Sequence, residues 1–166
     1  MKTLKFHTMQ SPVGIIKLIA TDTKLVAILW DKERPNRVKL HDMVEERNHP
    51  ILLETEHQLE EYFSQKRDTF QLPLEANGTP FQEAVWHALI QIPYGNTWSY
   101  KQVAEMINNP LAIRAVGAAI GRNPLSIVIP CHRVIATNGA LTGFAGGLDR
   151  KQTLLALEDT SISCIC

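Results

Sequence analysis

Residues 99–134 read SYKQVAEMINNPLAIRAVGAAIGRNPLSIVIPCHRV, and the first part of that stretch decides the fold of the second half of the chain. Ser99 followed three residues later by Gln102 is a capping box, in which each side chain satisfies a backbone N–H near the other. A helix is therefore predicted from Tyr100, carrying Val103, Ala104 and Ile107 on its apolar face. Asn108-Asn109-Pro110 breaks it, because proline lacks the N–H that would continue the ladder. LAIRAVGAAI then restarts the helix and is expected to stop at Gly121, where a left-handed cap meets no Cβ penalty. Two short helices joined by a break of a few residues predict a helix-turn-helix, although helical hairpins of this kind also occur in plain bundles.

Moving toward the N-terminus, Thr79-Pro80-Phe81-Gln82 is another capping box, with proline at the first helical position. Phe81, Val85, Trp86, Leu89 and Ile90 form its apolar face, and Pro93-Tyr94-Gly95 ends it. FQLPLEANG reads as a short extended piece and a linker, which places a domain boundary near Gly78. Two domains are thus expected, 1–78 and 79–166. Before the boundary, Pro50 suits the first turn of a helix carrying Leu52, Leu59, Tyr62 and Phe63. Residues 31–49 are polar, with charges of both signs, and read as a flexible stretch. Residues 1–30 alternate as three strands, TLKFHTM, IIKLIA and LVAILW, with turns at SPVG and TDTK.

The chain has 166 residues, of which 45% are hydrophobic and 20% charged, enough for one domain or two small ones with packed cores. MKTLKFHTMQSPVG lacks the apolar core of a signal peptide, and no segment approaches the roughly 18 uninterrupted apolar residues of a membrane span. A cytosolic protein with no membrane partner is expected. Formal net charge is zero, which argues against a strongly basic nucleic-acid binder. The distribution is less even. Residues 79–157 carry Lys101, Arg114, Arg122, Arg133, Arg150 and Lys151 against Glu83, Glu105 and Asp149, a net +3, and the rest of the chain carries −3. The cysteines are Cys131, Cys164 and Cys166. They have no zinc-like spacing with any histidine, and an odd count in a reducing compartment argues against a disulfide framework.

The chemistry concentrates after the second helix of the hairpin. LSIVI reads as a buried strand ended by Pro130, with Cys131 and His132 next. A lone cysteine beside an apolar run is most often an inert core residue. Adjacent His132 and Arg133 shift that balance, because a neighbouring cation or base lowers a thiol pKa that is otherwise near 8.5. Side chains at successive positions do not face each other, so a relay through water is expected rather than a direct Cys–His bond. A histidine in that role needs an orienting partner, and Glu158 at the end of DRKQTLLALE is the best candidate. The glycine-rich NGALTGFAGG is not a phosphate-binding loop. It either forms a plain surface loop or brings backbone N–H groups to a flat ligand, with Phe144 offering a stacking face. On the hairpin's second helix, Gly117 among Ala115, Ala118 and Ala119 makes a thin helix. Such a helix serves either close helix packing or close approach to another surface.

RAVGAAIGRNP, then IPCHRV, then GFAGGLDRKQTLL, in that order and spacing, resembles the O6-alkylguanine-DNA alkyltransferase (methylated-DNA–protein-cysteine methyltransferase) family in its bacterial form. The resemblance is strong over residues 79–158 and looser before them. It implies an α+β protein, with a ribonuclease-H-like α/β N-terminal domain and a winged-helix-like C-terminal domain bearing the helix-turn-helix. It implies stoichiometric, irreversible transfer of the alkyl group of O6-alkylguanine, and of O4-alkylthymine, to Cys131. The base is flipped from the minor groove of double-stranded DNA, and the protein inactivates itself after one turnover. Implied site roles are Cys131 as nucleophile, His132 as base through water, Glu158 orienting it, Tyr100 as proton source and phosphate contact, and Asn123 joining the recognition helix to the nucleophile segment. Arg114 would fill the stack, with Ala115, Gly117, Ala118 and Arg122 along the groove. The base pocket would be Val134, Phe144, Ala145 and Gly146, with carbonyls of Cys131 and Val134 accepting from the guanine amine and the Ala145 N–H reaching O6.

Some members carry tyrosine where this chain has Phe144, and serine at Ala145, so a hydroxyl contact to O6 is lost here. The metal-binding cysteines of some members are absent, and no metal or cofactor is expected. The resemblance assigns nothing to Cys164 or Cys166. A monomer is expected, with clustering along DNA left open. Two alternatives stand beside this reading. One is a non-catalytic binder of alkylated DNA, which Cys131 speaks against. The other is a cysteine hydrolase, for which adjacent Cys and His are poorly arranged.

Overall fold

The computed structural model of the chain describes residues 3–34, 36–139 and 144–159. These are mixed α and β, dividing into two compact units: Met1–Asn77 with Pro124–Ser126, and Gly78–Asn123 with Ile127–Cys166. The short stretch Pro124–Ser126, which the sequence reading put in the second domain, clusters with the first.

The first unit is a four-stranded sheet with one helix. Strands β1 (Leu4–Ser11), β2 (Gly14–Ala20) and β3 (Leu25–Trp30) form an antiparallel meander, and β4 (Met43–Glu45) adds parallel to β1, giving the order β3-β2-β1-β4. The first turn closes because Ser11 Oγ donates to the Gly14 carbonyl at 2.7 Å while Gly14 sits at φ 94°, a backbone state that glycine enters without strain. Thr21 Oγ1 likewise accepts from Lys24 N at 3.0 Å in the second turn. The far edge at β3 is covered: Leu25 pairs with Leu74, and Ile28 with Leu125. That cover explains why β3 is buried almost throughout instead of alternating. Helix α1 (Pro50–Phe63) starts where His49 accepts from Ile51 N and packs Leu52, Leu59 and Tyr62 inward against β1–β3. Each such side chain stabilises the fold by about 1.5–3 kcal/mol.

β4 corrects the reading of residues 31–49 as simply flexible. Met43 and Leu40 pack on the cluster of Leu4, Ile19, Val26 and Ala27. Two apolar anchors, Leu40 and Met43, suffice for a three-residue edge strand whose other side chains, Val44 and Glu45, are exposed.

The second unit contains α2 (Pro80–Ile90), β5 (Trp98–Ser99), α3 (Tyr100–Met106), α4 (Ile113–Gly121), a 3-10 turn at Cys131–Arg133, β6 (Val134–Ile135) and α5 (Leu148–Glu158). Both expected capping boxes form, Thr79 with Gln82 and Ser99 with Gln102. Asn108 makes the break after α3 by taking φ 60°, a conformation that asparagine tolerates better than most residues. Trp86 Nε1 donates to the Ala119 carbonyl at 2.8 Å and ties α2 to α4.

Two local expectations fail here. Gly121 is the last helical residue and is not left-handed; the helix closes on Arg122, whose N–H returns to the Ala119 carbonyl. LSIVI is buried, as expected, but it is no regular strand. Ile127 stands at φ 75° and the chain turns there. A β-branched residue in that region stores on the order of 1–3 kcal/mol of strain, held by its fully buried surroundings.

Candidate active site

The reactive turn is built from the chain that leads into it. Pro130 has φ −79° and ψ 66°, and the Cys131 N–H donates back to the Ile129 carbonyl at 2.8 Å. That is an inverse γ-turn, and proline supplies its φ in advance. The same Ile129 carbonyl accepts from Asn123 Nδ2 at 2.9 Å, with Asn123 wholly buried just beyond α4. Asn123 therefore fixes the segment that presents Cys131 to the end of the helix-turn-helix. Cys131 then opens the 3-10 turn, its thiol buried and its carbonyl accepting from Val134 N.

His132 is wholly buried, and its Nε2 lies 2.7 Å from Glu158 Oε2 on α5. Glu158 has its pKa at about 2: burial pushes it up, but hydrogen bonding and charge from His132 and then Arg133 more than reverse that. It is therefore an ionised acceptor, so Nε2 carries the proton and donates. The other ring nitrogen, Nδ1, has no hydrogen-bond partner among the described residues. Burial holds the His132 pKa below its ordinary value, against the opposing pull of Glu158. The neutral ring thus offers Nδ1 as a base, aimed away from Glu158.

Two charged residues complete the site: Arg133, which sequence reasoning took only as a neighbour of the thiol, and Lys151, to which it gave no role. Arg133 donates through Nε and Nη2 to the two oxygens of Glu158 at 2.7 and 3.0 Å, and through Nη1 to the Ile92 carbonyl at 2.7 Å. Lys151 is buried on α5, with Nζ donating to the Val134 carbonyl at 2.6 Å. Burial lowers its pKa, and the charge of Cys131 opposes that. A signal for Lys151 did exist: Lys151, Leu154 and Glu158 are the buried residues of α5, at helical spacing. A lysine and a glutamate on the buried stripe of a helix mark a polar interior site.

The remaining residues fall into two groups. On α4, Arg114, Ala115 and Ala118 are exposed, as is Arg122 at its end. Ala115 and Gly117 flank the Arg114–Ala118 line on opposite sides. Gly117 is half-buried, and a Cβ there would stand 3.9 Å from the Tyr100 ring, an ordinary contact. Its glycine is therefore not required by helix packing. Tyr100 begins α3 directly after β5, and β5 pairs in parallel with β6, matching Trp98 to Val134 and Ser99 to Ile135. That ladder sets the start of α3 beside the residues that follow the nucleophile. Phe144, Ala145 and Gly146 are half-buried before α5. Residues 140–143 of the glycine-rich segment, and the tail with Cys164 and Cys166, lie outside the described residues. Among the described residues, no group of three or more His, Cys, Asp or Glu side chains is placed to hold a metal ion, and no helix is long and apolar enough to cross a membrane.

Comparison with known proteins fits this arrangement to one family. Residues 4–76 match the ribonuclease-like domain, and residues 80–160 the DNA-binding domain, of 6-O-methylguanine DNA methyltransferase. The chain is 44% identical over 157 residues to a methylated-DNA–protein-cysteine methyltransferase of Methanosarcina mazei, covering 95% of this chain and 98% of that one. It is 41% identical to the constitutive methylated-DNA–protein-cysteine methyltransferase of Bacillus subtilis, covering 94% and 96%. A crystal structure of Mycobacterium tuberculosis OGT in complex with DNA superposes with a TM-score of 0.87 at 38% identity, covering 94% of this chain and 93% of that chain. With near-complete coverage on both sides and both domains matched, the chain belongs to the methylated-DNA–protein-cysteine methyltransferase family.

Proposed function

We propose that this protein repairs alkylated DNA by transferring the alkyl group of O6-alkylguanine in double-stranded DNA to Cys131, once per molecule. The observation that carries the reading is a buried thiol followed by a wholly buried histidine, whose Nε2 is held by Glu158 while Nδ1 has no hydrogen-bond partner among the described residues. The domain assignment, 1–78 ribonuclease-H-like and 79–166 DNA-binding and alkyl-accepting, belongs to this proposal, as does a cytoplasmic location.

In the reaction the Cys131 proton passes through a water to His132 Nδ1, and Glu158 stabilises the imidazolium that results. A thiolate electron pair forms the S–C bond to the alkyl carbon as the C–O6 bond breaks. The departing guanine oxygen takes a proton from Tyr100, which stabilises the charge developing there. The product thioether has no easy hydrolytic exit, so Cys131 is consumed. The Val134 carbonyl, already fixed by Lys151, keeps a second lone pair for the guanine exocyclic amine, and the Cys131 carbonyl does likewise. Ala145 N–H serves O6, and Phe144 and Gly146 face the base.

DNA is bound through α4, where exposed Ala115 and Ala118, with Gly117 at the rim, let the backbone approach the minor groove. Arg114 enters the stack as the nucleotide leaves, and Arg122 contacts phosphate. Unstacking costs a few kcal/mol, which Arg114 and Tyr100 offset. The test is peptide mapping by mass spectrometry after incubation with a duplex containing O6-methylguanine. One methyl group is expected on the peptide containing Cys131; a methyl group on any other residue, or none, contradicts the proposal.

A further inference from the structure

The geometry points to Arg133 as a positioning residue that balances the Glu158 charge and so keeps His132 neutral, ready to act as a base. This rests on the transfer reading above. Glu158 sits at the end of α5 with its carboxylate buried, and a buried carboxylate requires a compensating cation. His132 is the nearer candidate by sequence reading. Were it the compensating cation, it would already hold the proton that it must accept from Cys131.

Arg133 removes that conflict. Its fork covers both Glu158 oxygens, its third bond anchors on the Ile92 carbonyl, and the guanidinium stands 5.7 Å from the centre of the Tyr94 ring. Tyr94 is itself tied to α5, its hydroxyl donating to the Leu157 carbonyl at 3.3 Å. A guanidinium stays protonated at any working pH, so the balance it provides does not titrate. The charged groups acting on His132 are Glu158 and Lys151 from α5 and Arg133 from its own turn. Burial is the largest influence holding His132 low, Glu158 pulls it up, and the two cations oppose Glu158. Arg133 bonds both oxygens of Glu158 directly, while Lys151 donates to the Val134 carbonyl.

The test is titration of the His132 ring by NMR in the parent protein, in Arg133→Gln and in Arg133→Lys. Glutamine keeps hydrogen-bonding capacity and removes the charge; lysine keeps the charge and loses the fork. The His132 midpoint is expected to rise in Arg133→Gln and to stay with the parent in Arg133→Lys. Correspondingly, near pH 6 alkyl transfer by Arg133→Gln, relative to its own alkaline plateau, should be roughly tenfold slower than in the parent. Coincident midpoints for Arg133→Gln and the parent would overturn the inference. So would a raised midpoint in Arg133→Lys, which decides the matter alone if the glutamine variant does not fold. The titration reads His132 without any alkyl transfer, so it stands apart from the test of Cys131 itself.

Discussion

His132 and Glu158 lie 26 residues apart in sequence and meet at 2.7 Å, both buried. The contact joins the reactive turn to α5, so it serves stability as well as chemistry. The Glu158 pKa falls from 4.5 to about 2 in the fold. A depressed carboxyl contributes stability that is complete above the unfolded value and lost as pH falls through the folded one. The contribution is on the order of 3 kcal/mol, lost between about pH 5 and pH 2. Urea unfolding of the parent and of Glu158→Gln should show the parent losing more stability across that window. Equal losses would show that Glu158 is not the group responsible.

Lys151 is a second buried charge with a structural duty. Truncation to Lys151→Ala removes a buried stem and the donor to the Val134 carbonyl. The expected cost is about 2–4 kcal/mol, the sum of a cavity and an unsatisfied acceptor. Chemical denaturation measures it directly, and a change below about 0.5 kcal/mol, typical of a surface site, would contradict the placement.

Gly117 separates fold from function. Among the described residues, a Cβ there meets only the Tyr100 ring, at 3.9 Å. Gly117→Ala is therefore expected to stabilise the protein by about 0.5–1 kcal/mol through helix propensity. Its affinity for duplex DNA should fall at the same time, because the added methyl would thicken the rim of the surface proposed to face the groove. A stabilised protein that binds DNA as well as the parent would free Gly117 from that role.

Arg114 is exposed on α4, and the role proposed for it is in flipping the base, not in the thiol chemistry. Arg114→Ala should slow repair of O6-methylguanine in duplex DNA by at least about tenfold, while reaction with free O6-benzylguanine, which needs no flipping, stays close to the parent. Comparable losses on both substrates would make Arg114 a structural residue.

What was legible in the sequence was what depends on near neighbours. The capping boxes at Thr79–Gln82 and Ser99–Gln102 place their helices because both partners lie within one turn. Cys131 and His132 announced themselves by adjacency. The misreadings share another cause. LSIVI signalled burial, but burial does not specify conformation, and the turn at Ile127 depends on surroundings far along the chain. β4 and the β5–β6 ladder are too short to show a period. The bonds of Arg133, read only as a neighbour of the thiol, and of Lys151, read only as part of the basic balance, were not legible because their partners, Ile92, Glu158 and Val134, are 17–41 residues away. The base pocket proposed at Phe144, Ala145 and Gly146 rests on resemblance to the family; the local glycine-rich pattern left open either a loop facing a flat ligand, with Phe144 as the stacking face, or a plain surface loop.

The most direct measurement is the stoichiometry of transfer. The protein is incubated with excess duplex carrying one labelled O6-methylguanine, and label on protein and in solution is followed with time. The account predicts that label on the protein rises to about one per molecule and stops, with none released, and that Cys131→Ser acquires none. Continuing release of label into solution, or labelling of Cys131→Ser at the parent level, would contradict it.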